Sequence, residues 1–231
     1  MNTSFAQRLQ RPLRLQIGRR AWAIPTRWLA VAVLSILYTV GLVGILWPLS
    51  DTFILLTPIN LLVSLGIVLL FHPRWSAATL GVLALSYLIG FGAEWFGVQT
   101  GLLFGEYAYG PVLGPQFQGT PYMIGVNWMM LVYCSGVAVN KFLPGRSWIV
   151  RGILAAAIMV GLDVLIEPVA MALDFWQWEG NVIPLQNFAG WFGVALPLTL
   201  VFARWQRGIR NPVGIALLCW QFIFFIVLNI F

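Results

Sequence analysis

Charged residues are scarce in this sequence. Asp, Glu, Lys and Arg together make up 9% of its 231 residues, whereas soluble domains carry about 25%. Hydrophobic residues make up 60%, and the mean hydropathy is +0.87. Such a chain cannot cover a surface that faces water on all sides, which excludes an ordinary soluble domain. Several apolar runs reach the ~20 residues that a helix needs to cross a bilayer, so we predict an all-α, polytopic membrane helical bundle.

Histidine and cysteine are also nearly absent. The one histidine is His72, and Cys134 and Cys219 each lie in an apolar run without a CxxC neighbour. This excludes a bis-histidine haem, a histidine-rich di-iron site and a disulfide framework, and the sequence has no dinucleotide fingerprint. The last apolar run has no lysine, which excludes a retinal Schiff base. Cofactor-free acid–base chemistry, metal chemistry on carboxylates and transport remain open.

Basic residues give the chain a formal net charge of +6, but they form no stripe that could follow a nucleic acid, so we expect no nucleic-acid partner. Six of the 13 lie in the first 27 positions, and the rest lie in turns at 72–76, 141–151 and 204–211. The alternate loops have no Lys or Arg: 48–52, 99–121 and 173–186. This is the positive-inside pattern. It predicts a multi-pass protein of the inner (cytoplasmic) cell membrane with its N-terminus in the cytoplasm and its C-terminus outside.

The apolar runs predict about seven transmembrane helices. Their expected bounds are 28–47, 53–71, 77–98, 122–141, 149–172, 187–204 and 212–230. The first run is too long for a cleaved signal peptide and no small-residue cleavage site follows it. We therefore expect a basic cytoplasmic segment over residues 1–27 and a single transmembrane domain over residues 28–231.

Two loops on the predicted outer side are longer than the other connections. Residues 99–121 are rich in glycine, proline and aromatic residues, and residues 173–186 contain the run DFWQWEGNVIPLQ. Long loops are usually functional or disordered, and such aromatic content argues against disorder. We expect both loops to cover the outer end of the bundle like a lid, with Trp and Tyr at the depth of the lipid headgroups.

Three carboxyl residues lie inside the predicted helices. An ionisable residue in a membrane helix is a functional candidate, and at ~1.5 Å rise per residue Glu94, Asp163 and Glu167 all fall in the outer half of the bilayer. Asp163 and Glu167 are four residues apart and share one helix face. Two such carboxyls cannot both ionise at low cost, so at least one should be neutral. Paired carboxylates in different protonation states suit acid–base catalysis, although hydrogen bonding between helices by protonated acids is the structural alternative.

The sequence around these residues resembles the CruF-type carotenoid 1′,2′-hydratases. The similar segments are EWFGVQTGLLFGEYAY from Glu94 to Tyr109 and DVLIEP from Asp163 to Pro168. They continue with Trp176-Gln-Trp178 and then with Pro184, Asn187, Gly190 and Trp191. The resemblance covers roughly residues 85–195. In the family the second segment more often ends in Asp-Pro, whereas this chain has Glu167-Pro168.

The resemblance implies a hydro-lyase that adds water across the terminal C1′=C2′ double bond of an acyclic carotenoid end group and makes a tertiary alcohol. The implied substrate is lipid-soluble: lycopene, γ-carotene or a C50 analogue. Hydration transfers no electrons, which suits a chain without redox ligands, and we predict no cofactor and no metal. We expect Asp163 or Glu167 to be the acid, and Glu94 to orient the water with help from Glu106. The expected substrate-binding residues are Trp95, Tyr107, Tyr109, Asn127, Trp128, Trp176, Trp178 and Asn187.

Two other functions compete with this interpretation. A transporter or a carotenoid-binding scaffold could use the same acids for protons, but the sequence has no inverted repeat that would favour transport. An intramembrane prenyltransferase would bind diphosphate through Mg²⁺ on Asp-rich motifs, which Asp163-x-x-x-Glu167 imitates only in part. Strict Mg²⁺ dependence would favour the prenyltransferase, and proton-coupled uptake would favour the transporter.

Overall fold

The computed structural model describes residues 13–17, 20–47 and 50–231, and side chains from residue 25 onward apart from residues 48–51. The rest of the predicted basic segment 1–27, namely residues 1–12 and 18–19, lies outside the described residues. Within that segment β1 (Leu13–Ile17) pairs antiparallel with β2 (Arg20–Ile24). The helices are α1 (Thr26–Leu46), α2 (Ser50–Leu55), α3 (Thr57–Leu70), α4 (Ala77–Thr100), α5 (Tyr122–Phe142), α6 (Trp148–Ala172), α7 (Leu185–Trp205) and α8 (Pro212–Ile230).

In the described part of the chain, six helices are long and apolar enough to cross a membrane: α1, α4, α5, α6, α7 and α8. The predicted second span, 53–71, is divided instead into α2 and α3. Pro58 lies in the first turn of α3 and has no N–H to continue the hydrogen bonding of α2. The 14 residues of α3 extend only ~21 Å at 1.5 Å per residue, whereas the hydrocarbon core is ~30 Å thick. The helical membrane bundle is confirmed, and the seventh full-length span is not.

The helices α4, α6 and α8 all begin near the same end of the bundle, and each has a polar N-cap. Ser76 accepts a hydrogen bond from the Thr79 N–H, and Asn211 accepts one from the Val213 N–H. Ser147 does the same for α6. Such caps satisfy N–H groups that the helix itself cannot. We call this end the arginine end because the basic residues of the turns 72–76, 141–151 and 204–211 lie there.

Helix α5 forms the centre of the bundle and contacts α4, α6, α7 and α8. Trp128 on α5 is fully buried and packs against α4 at Gly90. A Cβ at Gly90 would come within 2.4 Å of the Trp128 side chain, so only glycine permits this close approach. The packing places the Trp128 indole next to the part of α4 that carries Glu94.

The other end of the bundle is covered by the two long loops, and these loops pair with each other. Strand β3 (Tyr107–Tyr109) and strand β6 (Trp176–Trp178) form an antiparallel ribbon in which Tyr107 faces Trp178 and Tyr109 faces Trp176. Backbone hydrogen bonds from Gly110 to Phe175 and from Glu179 to Glu106, both 2.9 Å, extend the pairing. A second pair, β4 (Gln116–Phe117) and β5 (Thr120–Pro121), lies in the first loop. We call the β3–β6 pair the ribbon.

Candidate active site

Glu94 is buried near the end of α4 and accepts three side-chain hydrogen bonds. Its Oε2 accepts from the hydroxyls of Tyr107 at 2.7 Å and Tyr109 at 2.8 Å, and its Oε1 accepts from Trp128 Nε1 at 2.9 Å. The donors come from β3 and α5. Each of these bonds stabilises the charged form of the carboxylate more than the neutral form.

Glu167 on α6 has a donor set of similar size. Its Oε2 accepts from Trp176 Nε1 at 2.9 Å and Trp178 Nε1 at 2.6 Å. Its Oε1 accepts from Asn187 Nδ2 at 2.9 Å. Asn187 begins the first turn of α7 and is 1% exposed, so its amide is held between the helices.

The ribbon explains why two acids on different helices have matching donor sets. Alternate residues of a strand point to the same side, so the tyrosines of β3 and the tryptophans of β6 face the bundle together. Tyr107 packs on Trp178 with ring centroids 4.8 Å apart, and Tyr109 packs on Trp176 at 5.8 Å. One ribbon therefore supplies two hydroxyls to Glu94 and two indole N–H groups to Glu167.

Asp163 differs from the two glutamates. It lies one turn before Glu167 on α6 and is fully buried. Its Oδ2 accepts from Asn187 Nδ2 at 2.9 Å, but its Oδ1 has no hydrogen-bond partner among the described residues. The amide of Asn187 thus joins Asp163 to Glu167, and the packing of Tyr107 on Trp178 links this pair to Glu94. We call Glu94, Asp163 and Glu167 with their donors the carboxylate cluster.

A pair of stacked indoles lies beside this cluster. The rings of Trp128 and Trp191 are 4.3 Å apart and 20° from parallel. Trp128 donates to Glu94, while Trp191 lies one turn after Asn187 on α7. The stacked pair therefore connects the residue that donates to Glu94 with the helix that carries Asn187. Its flat aromatic faces are suited to a positive charge.

The phenols of the ribbon stay protonated. Burial raises the pKa of Tyr107, and the negative charge of Glu94 raises it further. The pKa of Tyr109 is raised for the same reasons in the same order. Both side chains therefore remain hydrogen-bond donors to Glu94 throughout the neutral pH range.

Three residues that the sequence assigned to the site are not brought into the carboxylate cluster. Glu106 is exposed, and its side chain interacts with Glu179, whose pKa is raised by a hydrogen bond with Glu106 and by its negative charge. Trp95 is 36% exposed and donates to Gln118 Oε1 at 2.8 Å. Consecutive helix residues point about 100° apart, so Trp95 faces away from Glu94's donors.

The third of these residues, Asn127, lines a separate apolar cavity of about 280 Å³. The cavity lies between α1, α2, α3, α5, α6 and α8, and Trp176 forms part of its wall. Gln221 of α8 also lines it. Trp191 was named only as part of the family-like segments and Gln221 was not named, although a glutamine inside a strongly apolar helix was a signal for it.

Within the described residues, no group of three or more His, Cys, Asp and Glu side chains is arranged to hold a metal ion. Tyr, Trp and Asn donors point at the two glutamates, and donors compete with a cation for the same oxygens. The arrangement can hold a proton on one carboxyl group while the other two remain acceptors.

The fold and this cluster define the class of the molecule: a multi-pass helical membrane protein with a cluster of carboxyl groups buried at one end of its bundle. Residues 52–231 match the family described as carotenoid biosynthesis protein. Because the match includes most of the chain, the protein belongs to that family. The family resemblance predicted from the Glu94 and Asp163 segments is confirmed at this level.

One curated relative is similar over a shorter stretch. The chain is 34% identical over 142 residues to the bisanhydrobacterioruberin hydratase of Haloarcula japonica. This stretch is 58% of the present chain and 48% of the relative, so the chain matches about half of the relative's length. No solved structure matches the chain.

Proposed function

We propose that this protein is a carotenoid 1′,2′-hydratase that adds water to the terminal C1′=C2′ double bond of an acyclic carotenoid end group. The observation that carries the proposal is the unequal bonding of three buried carboxyl groups. Glu94 and Glu167 each accept three side-chain hydrogen bonds, whereas Asp163 accepts one and has a buried oxygen without a partner. The family membership and the hydratase name of the relative support the same reaction.

Asp163 is the proposed acid. Its carboxyl group lies next to Glu167 on one helix face, and two carboxyls at this spacing cannot both ionise at low cost. Glu167 has three donors that favour its charged form, so the proton of the pair belongs on Asp163. Its unpaired Oδ1 is then free to carry a hydrogen toward C2′ of the substrate.

Glu167 is the proposed base. Transfer of the Asp163 proton to C2′ leaves a tertiary cation at C1′, and a water oxygen bonds to that carbon as its proton passes to Glu167. Among the described residues, Glu167 Oε1 accepts a bond from Asn187 alone and has room for a second donor such as this water. The proton then returns from Glu167 to Asp163, which Asn187 holds close by, and the carboxyl pair is restored.

The rest of the cluster stabilises the positive charge of the intermediate. Glu94 supplies a fixed negative charge, and the stacked Trp128 and Trp191 rings supply aromatic faces. A ring that faces a desolvated cation contributes up to ~2 kcal/mol. Donors that are already in place cost no reorganisation during the reaction. Tyr107, Tyr109, Trp176, Trp178 and Asn187 were predicted to bind substrate, and the role proposed for them here is to position these acids.

The substrate and the location follow from the same proposal. An acyclic or monocyclic carotenoid such as lycopene, γ-carotene or a C50 analogue is dissolved in the bilayer and reaches the site from the lipid. The basic turns support an orientation with the arginine end in the cytoplasm of the cell that makes the pigment. Labelling of single cysteines introduced at Arg146 and Val182 in intact cells tests this orientation: only Val182→Cys should react with an impermeant reagent.

The proposed reaction is tested by expression in a host that makes lycopene or γ-carotene, with pigments analysed by chromatography and mass spectrometry. The wild-type chain should give a pigment heavier by one water. Asp163→Asn should lower its amount by about 100-fold or more, as expected for loss of a general acid.

Asp174→Asn is the matched control, because Asp174 is exposed and lies outside the carboxylate cluster. It should hydrate at the wild-type rate. Both variants must be recovered from the membrane as folded protein. Full hydration by Asp163→Asn would refute the assigned acid, and no hydrated pigment from the wild-type chain with any acyclic precursor would refute the function.

A further inference from the structure

A second site lies next to the carboxylate cluster. We propose that the apolar cavity between α1, α2, α3, α5, α6 and α8 binds the isoprenoid chain of the substrate just behind its reacting end. The inference rests on the proposed function, because it assigns the place where that function's lipophilic substrate is held.

The cavity opens on the side of the bundle that faces lipid. Four of its lining residues are exposed apolar residues: Val40 on α1, Leu56, and Ile59 and Val63 on α3. The opening lies where α3 is too short to span a bilayer by itself, so α1 and α8 are not fully covered there. A molecule dissolved in the bilayer can therefore enter from the side without passing through water.

The inner end of the cavity touches the carboxylate cluster. Trp176 lines the cavity and its Nε1 also donates to Glu167 at 2.9 Å. Ile166 lines the cavity too, and it lies between Asp163 and Glu167 on α6. A chain lying in the cavity would thus end at the wall that holds the proposed acid and base.

The volume suits part of a carotenoid. About 280 Å³ lies at the small end of the ~300–1,000 Å³ of most ligand sites. It takes an end segment of a few isoprene units, while the rest of the polyene stays in lipid. The lining is almost entirely aliphatic and aromatic, as an unsaturated hydrocarbon requires.

A polar group in the wall indicates that the cavity is more than a packing defect. Gln221 is 3% exposed, and its Oε1 has no hydrogen-bond partner among the described residues. A buried acceptor without a donor costs ~1–3 kcal/mol. A hydroxyl on the isoprenoid, or a water bound with it, would satisfy this oxygen.

Retention of pigment by purified protein tests the site directly. The parent is Asp163→Asn, which binds substrate without converting it, and the probe is lycopene retained through detergent purification and measured by absorbance per protein. Val40→Trp places an indole at the opening. Gly41→Leu fills the interior, where a new Cβ meets only Phe224 at an ordinary 3.7 Å. Each should lower retained lycopene about tenfold.

Two matched controls separate the cavity from the surface. Val43 lies on the same helix as Val40 and has similar exposure, 54% against 51%, but does not line the cavity. Gly66→Leu adds the same side chain as Gly41→Leu in open space. Val43→Trp and Gly66→Leu should retain lycopene as the parent does.

Equal retention in all four variants, or none in the parent, would overturn the cavity site. These results are independent of hydration. If the wild-type chain hydrates no pigment but retention falls in Val40→Trp and Gly41→Leu alone, the hydratase proposal fails and the cavity site stands. If the wild-type chain hydrates the pigment but the cavity variants retain as much lycopene as the parent, the hydratase proposal stands and the cavity site fails.

Discussion

Two buried polar clusters lie at opposite ends of the bundle, and their hydrogen bonds run to different kinds of atoms. In the carboxylate cluster nearly every bond joins one side chain to the carboxyl group of another. The second cluster, which we call the arginine-end cluster, contains one ionisable imidazole and one guanidinium among neutral side chains. Its members are His72, Thr79, Tyr133, Asn140, Arg151, Gln206 and Asn211.

The arginine-end cluster differs in that half of its side-chain hydrogen bonds run to backbone carbonyls near helix ends. Asn211 donates to Val68 O at 2.8 Å, and Asn140 donates to Gln206 O and Ile209 O at 2.8 and 3.1 Å. Arg151 donates to Asn140 Oδ1 and to Ala203 O in the last turn of α7. Carbonyls in the last turn of a helix have no partner within the helix and attract positive charge. These bonds fasten the ends of helices to each other.

We expect the arginine-end cluster to contribute to the stability of the fold and the carboxylate cluster to contribute to the rate of hydration. Bonds to helix ends supply partners to backbone groups that have none within the helix. Removing these bonds should therefore lower the free energy of unfolding. Bonds that converge on carboxyl groups fix the charge and direction of those groups, so removing them should lower the rate. Four substitutions or conditions distinguish these outcomes.

The largest effect is expected for Glu167→Gln. An amide can keep the two tryptophan bonds through its oxygen, but its NH₂ would then face the Asn187 NH₂, and the group can no longer accept a proton. Hydration should fall by about 10²–10⁴-fold. Glu179→Gln makes the same change at an exposed site and should leave the rate unchanged. If the variant is less stable but hydrates at the wild-type rate per folded molecule, Glu167 contributes to stability and not to catalysis.

Asn211→Ala should have the next largest effect, and on stability alone. It removes the N-cap of α8 and leaves Val68 O and the Tyr133 hydroxyl with fewer partners. A lost cap costs ~1 kcal/mol and buried groups left unpaired cost ~1–3 kcal/mol, so the free energy of unfolding should fall by about 2–4 kcal/mol.

The change in the free energy of unfolding is measured by denaturation in mixed micelles, with hydration per folded protein as the second readout. Cys219→Ala is the control on the same helix, because Cys219 is exposed and surface changes stay within ~0.5 kcal/mol. A fall in hydration rate without a loss of stability in Asn211→Ala would remove the distinction between the clusters.

The sequence predicted the depth of the acids but not their surroundings. Glu94, Asp163 and Glu167 could be placed at one depth because a helix rises by a constant distance per residue. Their donors depend on the pairing of Tyr107 with Trp178, residues 71 positions apart, in strands of three residues each. Strands this short leave no periodic pattern, so neither the ribbon nor the partners of each acid could be predicted.

The sequence also could not give the side-chain directions of two predicted site residues that lie outside the carboxylate cluster. Glu106 and Trp95 are close in sequence to Tyr107 and Glu94, yet both side chains point away from the carboxylate cluster. Nearness in sequence gives no direction for a side chain outside a known strand or helix face. The apolar run 53–71 was long enough to span, and only the local effect of Pro58 divided it.

Tyr107→Phe should have a smaller effect than either earlier substitution. It removes one of the three donors to Glu94 and leaves the Tyr109 and Trp128 bonds in place. A hydrogen bond to a charged group is worth ~1.5 kcal/mol or more, so hydration should fall about tenfold. Tyr122→Phe, at an exposed tyrosine of α5, should change nothing. An unchanged rate in Tyr107→Phe would mean that the ribbon only covers the site.

The smallest expected effect is the loss of stability that follows protonation of His72 at acidic pH. Its Nε2 lies 2.8 Å from Arg74 O and its Nδ1 lies 2.8 Å from the Tyr133 hydroxyl, so the neutral ring donates at Nε2 and accepts at Nδ1. Burial lowers the pKa of His72 from 6.5, against the opposing hydrogen bond to Arg74. The unfolded chain therefore binds the proton more tightly than the folded protein does.

Stability from the neutral ring is complete above pH ~6.5 and is lost as the pH falls toward the folded pKa, by at most ~1.4 kcal/mol per pH unit. His72→Gln cannot titrate, so the difference between the free energies of unfolding of wild type and variant should shrink between pH 7.5 and about 5.5. A difference that stays constant with pH would show that His72 is not held neutral by its burial, and the arginine-end cluster would then lack the acid sensitivity that distinguishes it from a set of neutral caps.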